Sequence, residues 1–453
     1  MEAALQYAAQ NQDRFLNDLK EILKFESIST DQSYKKNVYT CAQWLVDHLQ
    51  HIGINEVEII STNNYPIIYA TYYVNDKLPD LLIYGHYDVQ PPGSLSKWDN
   101  DPFTPVIREG VIYGRGASDD KGQLLIILKA IESLLKTETQ LSFNLKILIE
   151  GEEEIGSGSL HEYLCHEKKK LKADISLICD TAMIEDGIPA ITYGLRGHSA
   201  FELSVSGSEI DTHSGVYGGA IDNPIHVLST LISKMKNGKQ KIQIPGFYDD
   251  VLDLSGDERE SLRKIPLDIQ NWQDITGVKK FNPEDNFTVL ESTTIRPSLE
   301  VTGFSGGYTG EGSRSIIPSS ATAKMSFRFV PDQNPEYIIE KMKSFIADNV
   351  PDTVGWDFKM LTPAEPAVVL DLNNKYVQSA SKILDDVFNR KTLFVREGGS
   401  IPVVSWFKKY LNVESLLIGF GLNSDNIHAP NEHFGLDRFN KGIISIIRFL
   451  TDK

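Results

Sequence analysis

The sequence predicts an α/β protein: a mostly parallel sheet covered by helices on both faces, interrupted by an inserted α+β domain. Three observations carry this expectation. The chain has 453 residues, more than one ordinary core accommodates, so two domains are expected. Short apolar runs that stop at a glycine or an acidic residue alternate with apolar residues at helical spacing. After Tyr193-Gly194-Leu195-Arg196-Gly197 the pattern changes to strict apolar–polar alternation.

In chain order, Leu16, Leu19, Ile22 and Leu23 keep the spacing of a helix, and a second helix is expected near Val38 to Leu49. Leu81-Leu82-Ile83-Tyr84 reads as a buried strand stopped at Gly85. Leu124, Ile127, Leu128, Ile131 and Leu135 mark a buried helix. Leu145 to Ile149 and Ile175 to Cys179 read as further strands. Phe201, Leu203 and Val205, and later Ala323, Met325, Phe327 and Phe329, alternate as half-exposed antiparallel strands do. Between those two strands the chain is irregular, rich in Gly, Pro and Ser. Leu416-Leu417-Ile418 returns to the first pattern. The expected division is therefore 1–194 with 365–453 as one domain and 195–364 as the insertion.

Composition narrows the function. Hydrophobic residues make up 41% and charged residues 24%, the balance of a globular protein. With Lys+Arg 45 and Asp+Glu 62 the net charge is −17, which argues against nucleic acid as a partner. No apolar run has the ~20 residues of a membrane helix. The polar N-terminus lacks a signal-peptide core, and Cys41, Cys165 and Cys179 are too few for a disulfide framework. A cytoplasmic protein is expected, with no membrane partner.

Polar clusters follow the expected strands, at the edge where open α/β sheets bind ligands. Gly85-His86-Tyr87-Asp88 places a carboxylate where it can orient a histidine ligand, although the same residues suit a turn capped by Asp88. Asp119 and Asp120 precede the buried helix, in a glycine-containing loop that also suits a helix cap. Glu150 to Glu154 is a charge run, ordinarily solvated surface, but here it follows a very apolar strand. Asp180 ends another strand, and His428 follows the last one. Carboxylates crowded at one edge are costly without a neutralising cation. Two histidines with several carboxylates and no thiol among the candidates fit Zn²⁺ or Mn²⁺, and the excess of carboxylates points to two ions sharing a ligand.

The segments GHYDVQPP, YGRGASDDKG, GEEEIGS, YGLRGHS, DTHSGVYGG, FRFVP, REGGSIPV and IHAPNE occur in this order along nearly the whole chain. In them the sequence resembles the M20 family of metallopeptidases, in the branch of carnosinase-like and cytosolic nonspecific dipeptidases. The resemblance implies a dinuclear catalytic domain, with residues 195–364 as a lid and dimerisation domain. It implies His86 and Asp180 as ligands of one metal, Glu154 and His428 of the other, and Asp119 as the bridge. Asp88 would orient His86, Glu153 would be the general base, and the Asp119–Asp120 peptide would be cis. His213 would reach across a homodimer into the partner's site. Arg328 and Ser315, with Glu397, Gly399 and Ser400 opposite, would hold the substrate, Arg328 at its C-terminal carboxylate. The third motif departs from close relatives in Glu152, where an uncharged residue is common.

The implied chemistry is hydrolysis of an amide bond in a dipeptide or short peptide. Two divalent ions, Zn²⁺ first with Mn²⁺ or Co²⁺ as alternatives, would lower the pKa of a shared water to yield a bridging hydroxide. Glu153 would move the proton to the leaving amine. Two other readings stand beside this one: a deacylase of N-acyl amino acids using the same metals, and a non-catalytic metal-binding assembly protein, which would be expected to lack a ligand or the base.

Overall fold

The structure, a computed structural model, describes residues 1–452 apart from the side chain of Asp257. The chain divides into two compact units, one of Met1–Tyr193, Leu370–Val395 and Pro402–Lys453, the other of Gly194–Val369 and Arg396–Ile401. The principal strands of their two main sheets are, in chain order, β1 (Glu56–Ile60), β2 (Ile67–Tyr72), β3 (Asp80–His86), β4 (Asn144–Glu150), β5 (Ile175–Ile178), β6 (Ala190–Leu195), β7 (Gly197–Ser206), β8 (Ser298–Gly306), β9 (Ser320–Phe329), β10 (Gly355–Met360) and β11 (Ser415–Ile418); the short strands Val368–Val369 and Leu393–Glu397 also pair with β6.

In the first unit the strand order is β1-β2-β4-β3-β5-β11-β6. The ladders β4–β3, β3–β5 and β5–β11 are parallel, while β1–β2, β2–β4 and β11–β6 are antiparallel. The centre is thus parallel and buried on both faces, which explains why β3, β4, β5 and β11 read as continuous apolar runs rather than as alternation. The helix Lys121–Lys136 is buried along almost all its length and packs against the helix Leu436–Thr451. Ile147 on β4 is fully buried in this core, and truncating it to alanine would cost about 2–5 kcal/mol. The expected α/β architecture is present, with the antiparallel flanking strands as an addition the apolar runs did not reveal.

The second unit holds the antiparallel sheet β8-β9-β7-β10. β7 and β9 bury alternate residues, and Phe201, Met325 and Phe327 face Leu228, Phe247, Ile338 and Met342. The covering helices Pro224–Met235 and Pro335–Asn349 begin alike: Asn223 or Asn334 caps the first turn and proline follows. The irregular region between β7 and β9 contains short helices, Gly256–Arg263, Ile269–Thr276 and Val289–Thr294, which the sequence pattern did not reveal. Arg396–Ile401, placed by the sequence pattern with the flanking segments, clusters with the second unit. Side chains hold it there: Arg196 Nε donates to the Gly398 carbonyl at 2.9 Å, and Arg328 Nη1 donates to Ser400 Oγ at 2.8 Å.

Candidate metal centre

The four parallel strands of the first unit end at one edge, because parallel strands share a direction. His86 closes β3, Glu153 and Glu154 follow β4, Asp180 follows β5, and His428 lies in the loops after β11. Asp119 arrives from the loop before the helix Lys121–Lys136, and the Asp119–Asp120 peptide is cis. Two glycines let the segments approach this closely. A Cβ at Gly122 would meet the Ala117 carbonyl oxygen at 2.0 Å, and one at Gly151 would meet the Tyr87 ring at 2.5 Å.

The donor atoms form two groups, His86–Asp119–Asp180 and Asp119–Glu154–His428, the atoms of each lying within 4.8 Å of one another. Asp119 belongs to both. Its Oδ1 lies 3.0 Å from His86 Nε2 and its Oδ2 lies 2.9 Å from His428 Nε2. Asp180 Oδ2 is 3.8 Å from His86 Nε2, and Glu154 Oε2 is 3.2 Å from His428 Nε2. His428 adopts left-handed backbone, φ 59°, within a stretch where Asn426 and Asn431 do the same. Asparagine and histidine are among the residues that tolerate it.

Asp88 positions two parts of the site at once. Its carbonyl oxygen lies 3.1 Å from His86 Nδ1 and its Oδ1 3.3 Å from the same nitrogen. A carbonyl only accepts, so Nδ1 carries a proton and Nε2 is the atom turned to the acidic groups. The Asp88 carboxylate also accepts the backbone N–H groups of Glu153 at 3.2 Å and Glu154 at 3.1 Å. Glu152, the departure noted in the sequence, is occupied elsewhere: it accepts from Tyr65 N at 2.9 Å, Ser159 N at 3.0 Å and Ser159 Oγ at 2.6 Å. It is a buried structural acceptor, and Glu153 and Glu154 remain as the two carboxylates of this loop at the site.

The electrostatics are those of a site short of positive charge. Burial pushes Glu153 up to about 7 against the pull of His86, with Glu154, Asp119 and Asp88 adding to the rise. Burial, then the charge of Asp120, pushes Asp180 well above the usual carboxylate range. Hydrogen bonds with Asp119 and Glu154 raise His428 to about 10. Two nitrogens and three carboxylates, with no thiol among them, fit a hard-to-borderline divalent ion.

A third group, Asp18–His48–Glu132, is already filled by a cation of the chain itself. Lys129 Nζ lies 2.6 Å from Asp18 Oδ2, 2.8 Å from Glu132 Oε2 and 3.0 Å from His48 Nε2.

The residues expected to hold substrate all lie in the second unit. Arg328 and Ser400 are hydrogen-bonded, and the Gly399 carbonyl accepts from Arg196 N at 3.2 Å. Glu397 is half-buried. His213 is exposed, its Nδ1 accepting from Gly215 N at 3.0 Å, and the Ser315 carbonyl beside it accepts from Ser214 N at 3.0 Å.

Sequence reasoning missed three contributors. Gln90 donates to Glu154 Oε2 at 2.7 Å. Asp425 accepts from Ser118 Oγ at 3.0 Å and is gripped by both terminal nitrogens of Arg438. Glu432 is fully buried against the Asp119 loop. Gln90 and Glu432 lay inside recognised segments, but no local pattern names their partners.

The sequence profile of peptidase family M20/M25/M40 matches residues 82–452. The chain belongs to this family. It is 31% identical to the Cys-Gly metallodipeptidase of Candida albicans, over 95% of this chain and 92% of that one. It is 29% identical to the Beta-Ala-His dipeptidase of Homo sapiens, over 97% and 90%. Its fold superposes on human carnosine dipeptidase 1 with TM-score 0.82 at 27% identity, covering 99% and 98% of the two chains. It superposes on an M20 family metallo-carboxypeptidase from Sulfolobus solfataricus with TM-score 0.86 at 33% identity, covering 96% and 98%.

Proposed function

We propose that the chain is a dinuclear metallo-dipeptidase that hydrolyses short peptides with a free C-terminal carboxylate. The observation that carries this reading is the placement of Asp119, with one carboxylate oxygen toward each histidine. His86, Asp180 and Asp119 would hold one ion, and Glu154, His428 and Asp119 the other, with Zn²⁺ favoured by the mixed nitrogen and oxygen donors. Bound there, two divalent ions supply Lewis-acid activation of water and of the scissile carbonyl.

The chain's own residues do the rest. Glu153 belongs to neither donor group, so its carboxylate is available to take a proton from the attacking water and deliver it to the leaving amine nitrogen. Asp88 fixes the backbone from which Glu153 and Glu154 project. Arg328, half-buried beside Ser400, offers a planar guanidinium to a carboxylate. An acidic protein needs such a local cation to hold an acidic group.

Val216 and Tyr217, exposed beside His213, support a homodimer in which His213 completes the partner's site. The three free thiols support a reducing, cytoplasmic setting. Among the described residues no helix is long and apolar enough to cross a membrane.

The likeness to a metallo-carboxypeptidase favours a second reading, longer peptides as substrates, since that activity also requires a terminal carboxylate. The deciding assay is metal-stripped enzyme reloaded with Zn²⁺, Mn²⁺ or Co²⁺ and given dipeptides, tripeptides, longer peptides and N-acyl amino acids. Dipeptides should be cleaved fastest. A preference for N-acyl amino acids would sink the dipeptidase reading. Arg328→Gln should lower kcat/KM for peptides with a free carboxylate by roughly 10- to 100-fold and leave the corresponding C-terminal amides little changed.

A further inference from the structure

Glu432 lies four residues beyond His428, in the same loop, and is fully buried. Both its carboxylate oxygens are spent on the loop that carries Asp119. Oε1 accepts from Ser118 N at 3.0 Å and Asp119 N at 3.1 Å. Oε2 accepts from Gly116 N at 3.0 Å and from Arg115 Nη1 at 2.7 Å. The same Arg115 turns its other terminal nitrogen to the Ala429 carbonyl at 3.4 Å, next to His428. The carbonyl of Glu432 in turn accepts Gly114 N at 3.0 Å. One loop therefore delivers His428 and also grips the segment from which Asp119 projects.

On the other side of Asp119 the chain is held independently. Asp120 Oδ2 accepts His86 N at 3.1 Å, and the Asp120 carbonyl accepts Leu124 N at 2.8 Å. The Asp119–His86 side thus has an anchor of its own. On the Asp119–His428 side Glu432 makes four of the bonds to the Asp119 loop, and it is the group that holds the backbone N–H of Asp119 itself, while Ser118 Oγ to Asp425 adds a further link.

We propose that Glu432 is a positioning residue that sets the spacing of Asp119 and His428, and so governs the second cation site selectively. This rests on the dinuclear reading above. Carboxylates that orient ligands without touching the ion commonly control affinity in this way.

The test is metal titration of chelator-stripped protein with Zn²⁺, read as ions bound per chain and as the affinity of each site, with circular dichroism and Tm on the same samples. The wild type should bind two ions. Glu432→Gln keeps the side chain's size but turns an amide N–H₂ toward donors. It should weaken one site by about 10- to 100-fold and leave the other near its wild-type affinity. Activity should return at high Zn²⁺ with KM unchanged. In a His428→Ala background, where only the His86 site remains, adding Glu432→Gln should change the remaining affinity little.

Two wild-type affinities in Glu432→Gln, or equal weakening of both sites in step with a lowered Tm, would overturn the proposal. If Glu432→Gln does not fold, Glu432→Asp, which keeps the charge and withdraws it by one methylene, is read by the same criteria. Failure of both to fold would make Glu432 a folding residue and overturn the selective role. A wild type that binds fewer than two ions would overturn the dinuclear reading and this inference together, whereas an unaffected Glu432→Gln overturns the inference alone.

Discussion

Asp88 Oδ2 accepts the backbone N–H of Glu154 at 3.1 Å, so a carboxylate at the end of β3 fixes a residue that follows β4. The neighbouring oxygen accepts Glu153 N and faces His86 Nδ1. Asp88→Asn leaves one acceptor where two are needed. The variant is expected to lose about 10- to 100-fold in metal affinity, measured as metal retained after dialysis against a graded chelator. Unchanged retention would mean that the loop after β4 holds itself.

Glu153 and Glu154 are adjacent, and of the two only Glu154 belongs to a donor group. Glu153→Ala is expected to keep its metal and lose at least ~10³ in kcat, the range for a general base with its positioning. Glu154→Ala is expected to lose metal as well as rate. Full activity in Glu153→Ala would remove it from the mechanism.

The buried His48, stacked on Trp44 at 4.7 Å, gives a pH signature away from the site. Burial and then the Lys129 ammonium depress it to about 3 from an ordinary 6.5. Below pH 6.5 the unfolded chain binds a proton at this ring that the folded chain refuses. Its contribution is therefore fully present above pH 6.5 and is lost as pH falls toward 3. Denaturant unfolding of wild type and His48→Gln across this range should show the wild type losing stability more steeply. Parallel curves would show that His48 titrates normally.

Subunit mixing tests the placement of His213. Glu153→Ala and His213→Ala should each be nearly inactive alone. If His213 serves the partner, a mixed dimer has one site with both lesions and one with neither. Random exchange at equal amounts makes about half the dimers mixed, so roughly a quarter of all sites should recover. Exchange is verified by pull-down of a tagged subunit. Confirmed exchange without recovered activity would place His213 in its own chain's site or in none.

The local sequence by itself determined the apolar central strands to within about two residues at their ends, but not the flanking strands β1, β2 and β6. Leu81-Leu82-Ile83-Tyr84 must be buried on both faces; the pattern predicts a stop at Gly85, and the strand runs on to His86, which pairs with Glu150. Because parallel strands end at a common edge, the neighbourhood of His86, Glu153, Glu154 and Asp180 was legible from order and burial alone. Asp119 and His428 were legible as polar residues in the right segments, and their roles came from the resemblance. Only the tertiary structure decided which oxygen of Asp119 faces which histidine. It also decided that Glu152 is spent on Tyr65 and Ser159, that Lys129 fills the Asp18–His48–Glu132 group, and that Glu432 holds Ser118, 314 positions earlier. The reason is physical. Burial follows from local pattern, whereas the partner of a carboxylate is whatever donor the chain's path brings within 3 Å, and that path depends on packing between segments far apart in sequence.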